Sequence, residues 1–129
     1  MYDSEATTQG VVVKVRSSFV PERSQPLEGR WFFAYRILIA NAGSVPVQLL
    51  NRHWVITDAH GHVEEVRGPG VIGEQPLIAA GESFEYTSFC PLSTPFGTME
   101  GSYEMITEAG DRFWAKIGRF ELTEDLPVN

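Results

Sequence analysis

Apolar and polar residues alternate with a period of two through most of this chain. In residues 9–20, Val11, Val13 and Val15 share one face, while Lys14 and Arg16 take the other. That is the pattern of a half-buried strand. Trp31, Phe33, Tyr35, Ile37 and Ile39 then alternate over a longer segment, with Arg36 on the opposite face. The segment is predicted to supply the main buried stripe of a central strand. Asn41-Ala42-Gly43-Ser44 reads as a turn, and residues 45–58 as another long extended segment. Here the parity changes: Val45, Val47 and Leu49 are odd, whereas Leu50, Trp54 and Ile56 are even. A strand cannot change its buried face without an inserted residue, so a bulge or bend is predicted near Asn51 and Arg52. The same event recurs late in the chain. Phe113, Ala115 and Ile117 keep one register, and Phe120 and Leu122 the other. Gly118 stands at the switch, where a bulge is sterically easy.

Turn signals recur at 58–61, 80–81, 94–97 and 108–111, with strand segments between them at 63–67, 84–89 and 99–107. About seven or eight strands result. Short strands at regular spacing, with no helical period, predict an all-β antiparallel β-sandwich or barrel. At 129 residues the chain is predicted to be one domain, 1–129, with an ordered core at about 9–122. Residues 1–8 and 125–129 are expected to be mobile ends.

Charge narrows the partners. The net charge of −7 argues against nucleic acid and anionic membranes, whose phosphates are met by Lys and Arg. No run of about 18 apolar residues is present, so no membrane insertion is expected. Met1-Tyr2-Asp3-Ser4-Glu5 is acidic and unlike a signal peptide. With Cys90 as the only cysteine, no intrachain disulfide can form. A cytoplasmic location follows as the expectation.

The segment Arg67-Gly68-Pro69-Gly70-Val71-Ile72-Gly73-Glu74-Gln75-Pro76 contains G-x-G-x-x-G. A dinucleotide fingerprint needs a strand before it and a helix opening at its third glycine. Pro69 interrupts the motif, Pro76 follows it, and no helical period appears downstream. Two readings stay open for Arg67, Gly68, Gly70 and Gly73. One is a structural loop that needs positive φ or close packing. The other is a weak phosphate or nucleotide site made from backbone N–H groups and Arg67.

These motifs carry a family resemblance. Asn51-Arg52-His53-Trp54-Val55-Ile56-Thr57-Asp58 and the run from Val66 to Pro76 resemble the ApaG (DUF525) family. So do Gly81-Glu82-Ser83-Phe84-Glu85-Tyr86-Thr87-Ser88, Thr94-Pro95, Gly97-Thr98-Met99 and Gly101-Ser102-Tyr103. The similarity covers about 9–122. One departure is Phe89, where the family pattern leads us to expect glycine. The resemblance implies a fibronectin type III-like or immunoglobulin-like sandwich. Bacterial members, also called CorD, are associated with cobalt resistance and magnesium efflux, and by gene neighbourhood with diadenosine tetraphosphate hydrolysis. Eukaryotic relatives occur as domains of F-box and polymerase-delta-interacting proteins. The resemblance therefore implies a non-catalytic binding module with a protein partner; the alternative is a small-ligand sensor for pyrophosphate, nucleotide or divalent cation.

Residue by residue, the chemistry favours binding over catalysis. His53, His60 and His62 could join Asp58, Glu64 and Glu65 at a metal, but their spacing matches no familiar ligand motif. No metal site and no cofactor are assigned. Cys90 lacks a sequence-visible activating base, and Thr87 and Ser88 lack a hydrolase elbow. Glu64 and Glu65 fall on opposite faces of a strand, a poor acid–base pair. No catalytic residue is assigned. Trp114 opposes the alternation of Phe113, Ala115 and Ile117 and is expected on an outer surface. Lys14, Arg16 and Arg36 also point outward, and with Trp114 they are the candidate partner surface; pairing with surface glutamates is the commoner outcome for such basic side chains.

Overall fold

In the computed structural model, which describes residues 2–124, the alternating segments become nine antiparallel strands in two packed sheets. One sheet is ordered β1 (Ser4–Thr8), β2 (Val11–Phe19), β3 (Trp31–Asn41) and β7 (Ser83–Leu92). The other is ordered β5 (Val63–Pro69), β4 (Val47–Asp58), β8 (Phe96–Thr107) and β9 (Arg112–Thr123). A two-residue strand, β6 (Leu77–Ile78), pairs with the start of β4. Pro21–Arg23 and Pro26–Glu28 form single 3-10 turns, and no α-helix occurs among the described residues. The fold is the expected antiparallel sandwich. Its strand count exceeds seven or eight because of β1 and β6.

β1 corrects the expected boundary of the ordered core. Ser4 through Thr8 pair with Val15 through Val11, and the Asp3 amide donates to the Val15 carbonyl at 2.7 Å. Gln9 and Gly10, at φ 47° and 82°, make the two-residue connection to β2. Positive φ at both positions matches the twist of a tight hairpin. The strand gave no alternation signal because Ser4–Thr8 contains one apolar residue, Ala6, and lies at a sheet edge. Residues 125–129, the other expected mobile end, lie outside the described residues.

The core is the predicted stripe of β3 facing the inner side of the second sheet. Phe33, Tyr35, Ile37 and Ile39 are buried, as are Leu49, Trp54, Tyr103, Ile117 and Phe120. Trp31, at the start of the stripe, is only half-buried, and its indole N–H has no acceptor among the described residues. Trp54 sits centrally, edge-on to Tyr35 at 5.3 Å and to Phe120 at 6.0 Å. Such T-shaped pairs add to the stabilisation from area burial.

Both parity changes are bulges. In β4 the register with β8 jumps between Leu49 and Asn51, so Leu50 is the extra residue, one position before the predicted site. In β9, Gly118 and Arg119 together oppose Glu100, between the pairs Ile117–Gly101 and Phe120–Met99. Val45 is exposed and precedes β4, with Pro46 between them. The β4 bulge sets up the site: after it, Arg52, Trp54 and Ile56 all belong to the inward register.

Candidate functional site

The two sides of the sandwich differ. On one, β9 meets β1 and β2: the Lys116 amide donates to Thr8 Oγ1 at 3.0 Å, and the Ser17 hydroxyl to the Glu121 carbonyl at 2.8 Å. On the other, β5 and β7 are the edges of opposite sheets. Between them two adjoining hollows, of about 320 and 270 Å³, share Tyr35, Arg52, Trp54 and Ser88.

Arg52 organises this open side. Its Nη1 donates to the carbonyls of Pro69 at 2.9 Å and Gly70 at 3.0 Å. Its register partner is Gly68. A Cβ on Gly68 would lie 3.0–3.1 Å from the guanidinium, so the glycine gives the arginine room. The bulged Leu50 offers its carbonyl to the Gly70 amide at 2.8 Å and to the Gln75 side chain at 2.9 Å. Arg52 and the β4 bulge thus clamp the glycine segment from within.

The segment itself splits in two. Arg67 and Gly68 belong to β5. Val71 and Glu74 exchange both backbone hydrogen bonds at 2.8 Å, closing a turn on Ile72 and Gly73 at φ 43° and 79°. This is a type I′ geometry, favouring Asn-Gly or Asp-Gly. Ile72 carries a β-branched side chain in the left-handed region and is 56% exposed. Gly70, at φ 62°, is buried, and a Cβ there would run into the Glu74 carbonyl oxygen. The amides of Gly70, Val71 and Glu74 are all engaged by backbone carbonyls. These contacts commit much of the loop's polar backbone to holding its own shape.

Arg67 points away from the cleft. Its guanidinium lies 3.4 Å from Glu65, whose carboxylate also meets His53 Nε2 at 2.7 Å. The His53 hydrogen bond, with help from Arg67, holds the Glu65 carboxyl below the usual carboxylate range. The outer face of this sheet carries a straight row, Trp114–Glu104–Asn51–Pro69, each in register with the next. Asn51 Nδ2 donates to Glu104 Oε1 at 2.8 Å. Over this row lies a shallow hollow of about 300 Å³, with Trp114 and Arg67 among its lining residues. Trp114 is 46% exposed, as its parity predicts.

Lys14, Arg16 and Arg36 lie on the outer face of the other sheet, so Trp114 does not join them. This corrects the expected single partner surface: alternation gives the outward parity of a strand but not its sheet. Arg16 and Arg36 are direct cross-strand neighbours, Arg36 is bound to Glu85 at 2.7 Å, and Lys14 Nζ lies over the Tyr2 ring at 5.3 Å. Phe89, the departure from the family pattern, stacks on Phe32 at 5.4 Å, and the Arg23 guanidinium covers the Phe32 ring at 4.2 Å.

The remaining reactive groups have structural partners. Asp58 Oδ1 accepts the backbone amides of His60 and His62 at 2.9 and 3.0 Å, fixing a hairpin turn. Among the described residues no three His, Cys, Asp or Glu side chains converge as a metal site. Cys90 lines the larger hollow, where burial, with the nearby Glu64 charge, pushes its thiol up to about 12. It is therefore a neutral thiol near pH 7.

The ApaG domain model matches residues 21–107. The chain belongs to the ApaG family. The ApaG protein of Azorhizobium caulinodans is 53% identical over 95% of this chain and 92% of its own length. The ApaG protein of Anaeromyxobacter sp. strain K is 54% identical over 98% of this chain and 99% of its own. The crystal structure of a Bordetella pertussis protein described as ApaA matches with a TM-score of 0.87 and 48% identity, over 92% of this chain and 96% of that one. The C-terminal domain of wzt, at 8% identity and a TM-score of 0.56 over 97% of this chain and 79% of that one, shares the fold alone. The ApaG match spans the bulge in β4, Arg52 and the whole glycine turn. Among the described residues no helix is long and apolar enough to cross a membrane.

Proposed function

We propose that this ApaG chain is a non-catalytic binding module of the cytoplasm that works by contacting another protein, through the outer face bearing Trp114. The observation that carries the reading is the exposed indole near the start of β9, beside a hollow that also has Arg67 and a hydrogen-bonded Asn51–Glu104 pair on its lining. Tryptophan and arginine are the side chains that most often dominate binding energy at protein interfaces. A flat sheet face built on paired strands presents them with little entropy left to lose. In this reading the family's association with cobalt resistance and magnesium efflux is exerted through the partner, and the domain needs no cofactor of its own.

The test is affinity capture from extracts of cells that make the protein, comparing wild type, Trp114→Ala and Arg16→Glu. The expected result is one specific partner, kept by Arg16→Glu and lost by Trp114→Ala with its melting temperature unchanged. Retention of every captured protein by a folded Trp114→Ala chain would defeat the assignment.

A further inference from the structure

We infer that the cleft between β5 and β7 binds a small carboxylate, gripped by the guanidinium of Arg52. This cleft lies on the inner side of the sandwich and does not include Trp114, although Arg52 also borders the hollow beside Trp114. Its starting point is an imbalance of charge. Arg36, Arg67, Arg112 and Arg119, all exposed, each have a carboxylate partner. Arg52 is partly buried, yet among the described residues its hydrogen bonds go only to the carbonyls of Pro69 and Gly70. Buried cations are ordinarily paired, and this chain has an excess of acids from which to supply one.

The donor geometry is specific. Both carbonyls are served by Nη1. The Nε and Nη2 groups have no protein acceptor among the described residues, and that edge is the fork that takes a carboxylate bidentately. Around it the hollow of about 270 Å³ is lined by Tyr35, Tyr86 and Ser88, with Ile72 and Gly73 at the turn. The Tyr86 hydroxyl is bound to the buried Tyr103 hydroxyl, whereas the Tyr35 phenol, raised by burial and set beside Ser88, stays neutral and faces the cleft with it. The cleft therefore offers one positive charge and the hydroxyls of Tyr35 and Ser88.

The adjoining hollow limits the rest of the ligand. It is floored by Trp54, Val66 and Met99, and Glu64 stands at its rim. Glu64 pairs with Ile56, four residues along β4 from Arg52, or about 13 Å at strand rise. A second negative charge would meet that carboxylate and the overall charge of −7. Polyphosphates are disfavoured on both counts. A single carboxylate on an apolar or aromatic body satisfies both ends. It can be a free organic acid or the C-terminus of a polypeptide.

The experiment titrates the labelled full chain by NMR with 3-phenylpropionate, its uncharged amide, acetyl-Gly-Phe and inorganic phosphate. Expected are saturable shifts of the Arg52 Nε–H and of the Ile72, Gly73 and Ser88 amides with the carboxylates, and none with the amide. Tighter binding of acetyl-Gly-Phe assigns the source as a polypeptide end, and tighter binding of 3-phenylpropionate a free acid. Arg52→Lys keeps the charge but loses the fork, and should weaken binding by roughly tenfold or more. Because Arg52 also supports the glycine turn, Tyr35→Phe provides a second variant that leaves those carbonyl contacts in place. It should weaken binding by about threefold, the scale of one modest hydrogen bond. Equal shifts from acid and amide, preferential saturation by phosphate, no saturable shift with any carboxylate, or unchanged affinity in both variants would overturn the site.

Discussion

The side of the sandwich where β9 meets β1 and β2 and the side where β5 faces β7 are built from similar strands but end differently. On the first, Val11, Val13, Val15, Ala115 and Ile117 fill the space between the sheets. Side-chain oxygens of Thr8 and Ser17 bond across to β9. On the second, the inward positions near the edges are Arg52, Glu64, Val66, Ser88 and Cys90, and the space between them is partly empty. A β-sheet needs one apolar face to fold. Polar inward residues at one edge therefore cost stability that the other edge must supply, and natural proteins accept such costs at functional sites. The comparison separates stability from function: the closed side should dominate the first, the open side the second.

The sharpest way to break that division is a pair of truncations. Ile117 is fully buried on the closed side, whereas Ile56 lines the open cleft and is partly exposed. Ile117→Ala should cost ~2–5 kcal/mol in urea unfolding, the range for a large-to-small change in a packed core. Ile56→Ala should cost below about 2 kcal/mol, since less apolar area is removed from water there. Equal costs would mean that the cleft is as well packed as the closed side, and the distinction would fail.

A smaller effect is expected where the open side does depend on exact packing. Gly70→Ala puts a methyl group against the Glu74 carbonyl and a side chain at φ 62°. Strain of this kind costs about 1–3 kcal/mol per residue, so a loss near the upper end, about 3 kcal/mol, is predicted. The loss should appear without any ligand. Amide exchange should report it at Gly70, Val71 and Glu74 and leave the Lys116 amide on the closed side protected. Uniform loss of protection on both sides would show that the turn is integral to the whole fold.

The contrast between the sides was only half visible in the sequence. Period-two alternation located the long strands, and the two parity changes located both bulges to within a residue, because a misplaced face is costly wherever one side is buried. Trp114 was legible as outward for the same reason. Arg52 was not singled out as a site residue. Nothing local marks it; its role comes from the Leu50 bulge, which turns it inward, and from its register with Gly68 across β5. The parity change between Leu49 and Trp54 was the available signal, since the switched register carries Arg52 into the core with Trp54. β1 was invisible because an edge strand of polar residues has no stripe to detect. The grouping of Trp114 with Lys14, Arg16 and Arg36 failed because sheet membership depends on long-range pairing.

The smallest predicted effect has the opposite sign. Ile72 holds φ 43° in a two-residue turn that Asn-Gly would make with less strain. A left-handed conformation costs a residue with a Cβ roughly 1–2 kcal/mol, and more for a branched one; asparagine tolerates it best among the non-glycine residues. Ile72 recovers little of this by burial, being 56% exposed. Ile72→Asn should therefore stabilise the protein by about 0.5–1 kcal/mol, seen as a higher urea midpoint at unchanged slope. The sign of the change is the informative part. A gain means the turn holds a strained apolar residue that the fold does not need, and strain retained at an exposed position beside a cleft points to contact with something outside the chain. If the same variant also weakens carboxylate binding, Ile72 belongs to the roof of the Arg52 site. A loss of stability would mean that Ile72 is held by packing over the cleft, and the open side would have to be redrawn as a second, imperfectly closed one.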